Sequence, residues 1–169
     1  MADRSQIDQD AQYFLDEFKG TTDPDHARRS LNAFLGELYR LYCSVWPEKK
    51  ARNEFFDFVQ SRDDYAILDT LTMLVRGGGV HDLTMETDTS RDALYPGLNV
   101  FPSPNLFPRA QFSFPIRDPR MGEGERGSER RQAAYDRLIV GTPVLRTIEG
   151  ALVAIRTLAS DPARARRLA

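Results

Sequence analysis

The sequence predicts an all-α fold, a helical bundle with one small β insertion, and two observations lead to this expectation. Apolar side chains recur three and four residues apart over most of residues 8–75 and again over 130–158, which is the spacing of one helix face. Between residues 88 and 126, six prolines exclude a long helix. We therefore expect a single domain over residues 1–169, with an irregular and partly β insertion at about 88–126.

Two helices are predicted in the first part of the chain. The first is short, with Asp8 or Asp10 capping its start and Gly20 at its end. The second has a sharper start, because Asp23 suits the N-cap and Pro24 suits the first helical position. Its apolar face continues for about six turns, which makes it the central helix of the bundle. That face comprises Ala27, Leu31, Phe34, Leu38, Leu41 or Tyr42, and Val45.

A third helix is predicted over 48–60, and a fourth begins near Asp63 or Asp64. The fourth helix ends where three consecutive glycines begin, because glycine favours the conformation that follows a helix. The apolar residues of the third helix are Ala51, Phe55, Phe56 and Val59. Those of the fourth are Ile67, Leu68, Leu71, Leu74 and Val75, and we expect the last three in the core.

The insertion contains one stretch with the alternation of a β-strand. In AQFSFPI, the side chains of Phe112, Phe114 and Ile116 fall on one face, because successive side chains of a strand point to opposite faces. The stretch LNVF, residues 98–101, is a candidate partner strand. Together they predict a small proline-rich hairpin at about 97–117.

Helical spacing returns at 130–140, and Gly141 separates this helix from the last one. Thr142 is the predicted N-cap of the last helix, with Pro143 at its first position. Residues 161–169 are a basic tail or a further short helix. The apolar face of the last helix carries Ile148, Leu152, Ile155 and Leu158.

Composition narrows the class of protein. Hydrophobic residues make up 41% of the chain and charged residues 28%, which is ordinary for a globular protein and too apolar for a disordered one. Cys43 is the only cysteine, so an intramolecular disulfide is excluded, and we expect this residue to be buried in its helix. Because the sequence has neither a long apolar span nor the apolar region of a signal peptide, we expect a cytoplasmic protein without a membrane partner.

The net charge of −2 conceals an asymmetry along the chain. Residues 1–116 hold 12 Lys+Arg and 18 Asp+Glu, hence −6, whereas residues 117–169 hold 11 and 7, hence +4. All eleven basic residues of the second part are arginines, whose planar guanidinium suits phosphate. This segment predicts either a basic patch or solvated helix faces with ion pairs four residues apart.

The end of the fourth helix, LTMLVRGGGVHD, places His81 five residues after Arg76. In a continuous helix, residues five apart point roughly 140° away from each other. Gly77, Gly78 and Gly79 relax this constraint, because glycine allows positive φ and close approach of backbone N–H groups to an anion. The turn could therefore gather both side chains around a phosphate. In the alternative, Gly77 simply ends the helix, Arg76 complements the helix dipole and His81 lies on a surface loop. With 20 arginines in the chain, the spacing alone arises readily by chance.

The stretch FLDEFKGTTDPDHARRSLNAFLGELYRLYCSVW, residues 14–46, together with LTMLVRGGGVHD, resembles the HEPN superfamily (higher eukaryotes and prokaryotes nucleotide-binding). The similarity is greatest in SLNAFL, residues 30–35, and in the Arg-x4-His spacing. The resemblance covers about two thirds of the chain and leaves out the proline-rich segment. Where family members commonly carry a polar residue after the arginine, this chain has Gly77.

The resemblance implies a HEPN-like bundle that acts as a metal-independent endoribonuclease in a toxin–antitoxin or phage-defence setting. It further implies that Arg76 and His81 of two subunits meet at a homodimer interface and act on RNA without a cofactor. The chemistry is consistent with the residue types, because a neutral imidazole can take the proton of a ribose 2′-hydroxyl near pH 7. A guanidinium can stabilise the charge that develops on the phosphoryl oxygens.

Two alternatives stay open. A metal-dependent phosphohydrolase could use His81 and Asp82, with Glu86 and Asp88 as further oxygen ligands, although His26 is the only other histidine and suits a capping or surface role. A non-catalytic protein that binds a partner, as an antitoxin, immunity factor or scaffold, could use the aromatic side chains of the predicted hairpin. Those aromatic residues are Phe101, Phe107, Phe112 and Phe114.

Overall fold

The computed structural model describes residues 3–46, 56–76, 84–87, 110–116 and 127–160. This part of the chain is mostly helical, which confirms the all-α class. Its helices are α1 (Arg4–Gly20), α2 (Pro24–Val45), α3 (Phe56–Gln60), α4 (Asp63–Thr70), α5 (Ser128–Leu138) and α6 (Val144–Ser160). A π-helical turn, Leu71–Val75, continues α4, and two short strands are β1 (Thr84–Thr87) and β2 (Ala110–Ser113).

Helix α1 begins five to seven residues earlier than the sequence predicts, which is about one and a half to two turns. Its N-cap is Asp3, whose carboxylate accepts the N–H of Ser5 at 3.3 Å, and neither Asp8 nor Asp10 caps the helix. The physical reason is Ile7, which is buried and extends the apolar face toward the N-terminus. The predicted end at Gly20 is confirmed.

Helix α2 forms as predicted and packs against α1, α6 and the π-helical turn. The carboxylate of Asp23 accepts the N–H groups of Asp25 and His26 at 3.2 and 3.3 Å, and Pro24 occupies the first turn. Its predicted apolar face is buried throughout. Cys43, by contrast, is only half-buried, because it lies outside the stripe that faces the core.

The π-helical turn follows α4 directly. The N–H of Arg76 donates to the carbonyl of Leu71, five residues back, where an α-helix would bond four residues back. The hydroxyl of Thr72 donates to the carbonyls of Leu68 and Asp69 at 2.9 and 3.0 Å, inside the same turn. Because the turn holds an extra residue, Arg76 leaves the helix in a direction that α-helical spacing does not predict. The predicted burial of Leu71, Leu74 and Val75 is confirmed.

Strand β2 lies within the predicted insertion and pairs antiparallel with β1, with Met85 opposite Phe112. Phe112 and Phe114 are buried, so these two do not supply the exposed aromatic surface that the partner-binding alternative would use. The expectation that Ile116 shares the face of Phe112 and Phe114 is wrong, since the Ile116 side chain is 88% exposed. The strand ends at Ser113, so its alternation does not extend to Ile116. The candidate partner strand at 98–101 lies outside the described residues.

The start of α6 differs from the prediction. Thr142 is not its N-cap; its hydroxyl donates to the carbonyl of Ile139 at 2.7 Å, and the helix begins at Val144. The reason is a bridge between Ser113 and Pro143, which holds this segment against the end of β2. Gly141 has φ of 71°, a conformation that favours glycine, and its N–H donates to the carbonyl of Phe114 at 2.9 Å.

Arginines of α5 and α6 form ion pairs with aspartates from the first half of the chain. For these four arginines the predicted pairing within one helix is wrong, because the partners belong to other elements; the six arginines at 117–126 and 164–167 lie outside the described residues, so the prediction of a basic patch is not tested there. The four pairs are Arg130–Asp57, Arg131–Asp69 at 2.8 Å, Arg137–Asp63 at 3.0 Å and Arg156–Asp8 at 2.8 Å.

One of these pairs is buried. Asp69, which is fully buried, accepts hydrogen bonds from the Tyr42 hydroxyl at 2.9 Å and the Gln60 amide at 2.7 Å. It also accepts two from the Arg131 guanidinium, at 2.8 and 3.3 Å. The ring of Phe56 lies 4.7 Å from that guanidinium. One carboxylate thus joins α2, α3, α4 and α5.

Within the described residues, no helix combines the length and the apolar content needed to span a membrane.

Replacing Arg131 with Met should lower the free energy of unfolding by about 3–5 kcal/mol, because the Asp69 carboxylate would stay buried without its cation. Urea denaturation measures this loss. The matched control is Arg137→Met, which removes an exposed pair with Asp63 and should cost about 1 kcal/mol or less. Equal losses for the two variants would contradict the assigned role of the buried pair.

Candidate functional site

Arg76 lies at the end of the π-helical turn and is exposed, as predicted. Its guanidinium carbon lies 3.8 Å from the centroid of the Tyr39 ring, on the neighbouring helix α2. A guanidinium at this distance from a ring is attracted to the ring face by a cation–π interaction, which is worth about 0.5–1 kcal/mol at exposed sites. Its N–H groups remain available to bind an anion, because stacking on the ring does not use them as hydrogen-bond donors.

The charge of Arg76 is not neutralised by any carboxylate among the described residues. Arg62 provides the contrast, because it too lies over a ring, that of Tyr65 at 4.5 Å, but it also pairs with Asp64 at 2.7 Å. The hydrogen bond to Asp64 raises the pKa of Arg62 above its ordinary value. Arg76 therefore combines stacking on a ring with a charge that no described carboxylate neutralises, and this combination suits a phosphate ligand.

The other predicted catalytic and phosphate-binding residues, His81 and Gly77, Gly78 and Gly79, lie outside the described residues. The same holds for Asp82 and for Asp88. Of the predicted Arg–His pair, the structure places Arg76 alone. Across the parts of the chain that are described, no three His, Cys, Asp or Glu side chains are grouped as a metal site would require.

The other histidine of the chain, His26, lines a cleft that the sequence analysis did not predict. His26 Nε2 lies 3.2 Å from Glu17 Oε2, and the two residues are nine positions apart across the turn between α1 and α2. His26 does not cap α2, because Asp23 does. The cleft has a volume of about 460 Å³, and its lining includes Tyr13, Glu17, His26, Arg29 and Ser30.

A signal for this cleft exists in the sequence. Gly20 and Pro24 mark a tight connection, so α1 and α2 must run antiparallel as neighbours. Residues at similar distances from the connection then face each other, which brings Glu17 opposite His26. The pairing follows from the topology of the helix hairpin rather than from a motif of fixed spacing.

Comparison of the chain with protein-family models, with curated proteins and with solved structures finds no match. The resemblance to HEPN proteins stays a prediction, and the function has to be argued from the chain's own residues.

Replacing Tyr39 with Leu should release the Arg76 side chain and lower the free energy of unfolding by about 0.5–1 kcal/mol, the typical value of an exposed cation–π contact. In the wild type, the ring current of Tyr39 should move the Hδ resonances of Arg76 upfield. In Tyr39→Leu these resonances should return to the values of an unstacked arginine. Identical Arg76 resonances in the two proteins would show that the stacking does not persist in solution.

Proposed function

We propose that the chain is a metal-independent endoribonuclease with a HEPN-like bundle, in which Arg76 and His81 form the catalytic pair. The observation that supports this proposal most is the state of Arg76. This side chain is exposed, lies over Tyr39 and has no carboxylate partner among the described residues, although other arginines of the chain are neutralised.

The reaction is an internal transesterification. His81 as a neutral imidazole takes the proton from a ribose 2′-hydroxyl, and the resulting oxygen attacks the adjacent phosphorus. The bond from phosphorus to the 5′-oxygen breaks, this oxygen takes up a proton from solvent water, and His81 returns the proton of the 2′-hydroxyl to solvent. Arg76 stabilises the negative charge on the non-bridging oxygens, and the N–H groups of Gly77, Gly78 and Gly79 line the same phosphate. The products are a 2′,3′-cyclic phosphate and a 5′-hydroxyl.

The proposal includes a symmetric homodimer. Each chain supplies one Arg76 and one His81, and in HEPN proteins, which this chain resembles, two such pairs meet at the two-fold axis. A C2 interface uses the same surface on both subunits, so the face around Tyr39 and Arg76 would meet its own copy. Light scattering at working concentrations tests this part of the proposal, and a monomer would count against it.

RNA cleavage by the wild type should persist in EDTA and leave DNA intact, because the proposed reaction needs a 2′-hydroxyl and no metal ion. The variants His81→Ala and Arg76→Ala should each slow cleavage by on the order of 10²- to 10⁴-fold. Arg76→Ala should lower the free energy of unfolding by about 0.5–1 kcal/mol, because it removes the contact with Tyr39, and His81→Ala should change it by about 0.5 kcal/mol or less, as surface substitutions usually do. The assay follows labelled total RNA with each protein, with and without EDTA.

The matched control is Arg62→Ala, which removes an exposed arginine that also stacks on a tyrosine but is neutralised by Asp64. It should cleave at the wild-type rate. If Arg62→Ala slows cleavage as much as Arg76→Ala does, charge in general is responsible and the assigned role of Arg76 is wrong. Cleavage that EDTA abolishes would transfer the function to a metal site at His81 and Asp82.

The second candidate is a partner-binding protein such as an antitoxin, immunity factor or scaffold. Among the described residues of the predicted insertion, the large apolar side chain available to such a contact is Ile116, which is 88% exposed. If the wild type cleaves none of a varied set of RNAs, this alternative becomes the better one.

A further inference from the structure

Arg76 and Tyr39 form the closest arginine–ring contact among the described residues. The guanidinium carbon of Arg76 lies 3.8 Å from the centroid of the Tyr39 ring, a separation typical of carbon atoms in van der Waals contact. The guanidinium therefore lies face-on to the ring, because an edge-on group would place an N–H between the two and move the carbon outward. The other contacts are longer, at 4.5 Å for Arg62, 4.7 Å for Arg131 and 5.7 Å for Arg130.

Face-on stacking sets the direction in which Arg76 donates hydrogen bonds. The N–H donors of a guanidinium all lie in its plane. When that plane is parallel to the Tyr39 ring, the donors point sideways past the rim of the ring and not into it. Adjacent donors on one edge of the guanidinium can then bind two oxygens of the same phosphate. The stacking thus orients Arg76 without using its hydrogen-bonding capacity.

Tyr39 is the less mobile member of this pair. It is half-buried on α2, and α2 packs against the π-helical turn that precedes Arg76. A tyrosine side chain has fewer rotatable bonds than an arginine, whose rotamer entropy is among the largest of all side chains. Arg76 is exposed, and no described carboxylate restrains it. Among the described residues, the contact that favours one orientation of Arg76 is therefore the Tyr39 ring.

We propose that Tyr39 is a positioning residue for RNA cleavage, which orients the guanidinium of Arg76 toward the non-bridging oxygens of the scissile phosphate. The inference rests on the proposed function and adds to it a residue that the Arg-x4-His spacing does not include. Tyr39 touches none of the reacting atoms. Its contribution is to raise the fraction of molecules in which Arg76 already has the orientation that stabilises the developing charge.

Tyr39→Leu should lower kcat by about two- to fivefold, the factor that corresponds to an exposed cation–π contact. KM should change less, because the affinity for RNA is shared among several phosphate contacts. Tyr39→Phe should recover most of this loss, since it keeps the ring and removes only the hydroxyl. If Tyr39→Phe is as slow as Tyr39→Leu, the hydroxyl and not the ring is responsible, and the proposal is wrong.

Fluorinated rings separate stacking from packing. Fluorine withdraws electron density from the face of a ring with little change in its size, so the cation–π attraction falls with each fluorine. Position 39 is filled in turn with phenylalanine and with phenylalanine analogues that carry one, two and three ring fluorines. The value of kcat should fall stepwise along this series. The same kcat for all four rings would show that the ring only fills space and would overturn the proposal.

The variant Arg76→Ala supplies the matched background for a double-mutant cycle. If Tyr39 acts through Arg76, Tyr39→Leu should cause no further loss of cleavage in Arg76→Ala, although it slows the protein that retains Arg76. An equal fold loss in both backgrounds would assign Tyr39 a role that does not involve Arg76, which contradicts the proposal.

Phosphate binding distinguishes failure of this inference from failure of the proposed nuclease. Titration with inorganic phosphate should shift the Arg76 Nε–H resonance of the wild type, and the dissociation constant should be about two- to fivefold higher in Tyr39→Leu. If the wild type cleaves no RNA but shows this difference, the nuclease proposal fails while the orienting role of Tyr39 stands. Equal dissociation constants in the two proteins overturn that role whether or not RNA is cleaved.

Discussion

The buried carboxylate of Asp69 is the constraint on which the described part of the fold depends. Burying a charge away from solvent is unfavourable in free energy, and this is offset only when the charged group is paired and its hydrogen-bonding capacity is filled. Asp69 meets this condition with four donated hydrogen bonds, from Tyr42, Gln60 and Arg131. Each donor comes from a different helix, so α2, α3 and α5 must take fixed positions around α4. Apolar contacts alone would tolerate other arrangements, because they are not directional.

The same residue borders the irregular turn that places Arg76. The carbonyl of Asp69 accepts the Thr72 hydroxyl at 3.0 Å, and the π-helical turn begins two residues after Asp69. At the other end of the turn, the N–H of Arg76 donates to the carbonyl of Leu71, and its guanidinium lies over the Tyr39 ring. The buried ion pair and the exposed guanidinium therefore lie at the two ends of one irregular turn.

The sequence was sufficient to predict those parts of the fold that depend on local signals. Helix α2 has a capping aspartate, a proline in its first turn and a regular apolar face, and all three signals agree. The π-helical turn could not be predicted, because the spacing of Leu71, Leu74 and Val75 suits an α-helix equally well. For Ile116, the alternation of a strand was extended past the point where β2 ends. The burial of Asp69 did leave a signal in the sequence, since it is an acidic residue on an otherwise apolar helix face. Its partner could not be predicted, because Arg131 is 62 residues away and no local pattern joins the two residues.

The sequence predicted the candidate sites to different degrees, because some of their contacts follow from local motifs and others from the packing of helices. Arg76 was found because a motif of short spacing includes it, whereas its stacking on Tyr39 depends on how two helices pack. The pair of Glu17 and His26 depends only on the antiparallel course of α1 and α2, and it was missed because His26 was considered within its own helix. Among the described arginines, ion pairing with distant aspartates accounts for those on α5 and for Arg156 on α6. Among the described residues, four arginines have no carboxylate partner, Arg4, Arg29, Arg76 and Arg146, and of these Arg76 is the one that lies against an aromatic ring. Because a phosphate site needs a cation that the protein itself does not neutralise, this combination makes Arg76 the candidate on which the proposed function rests.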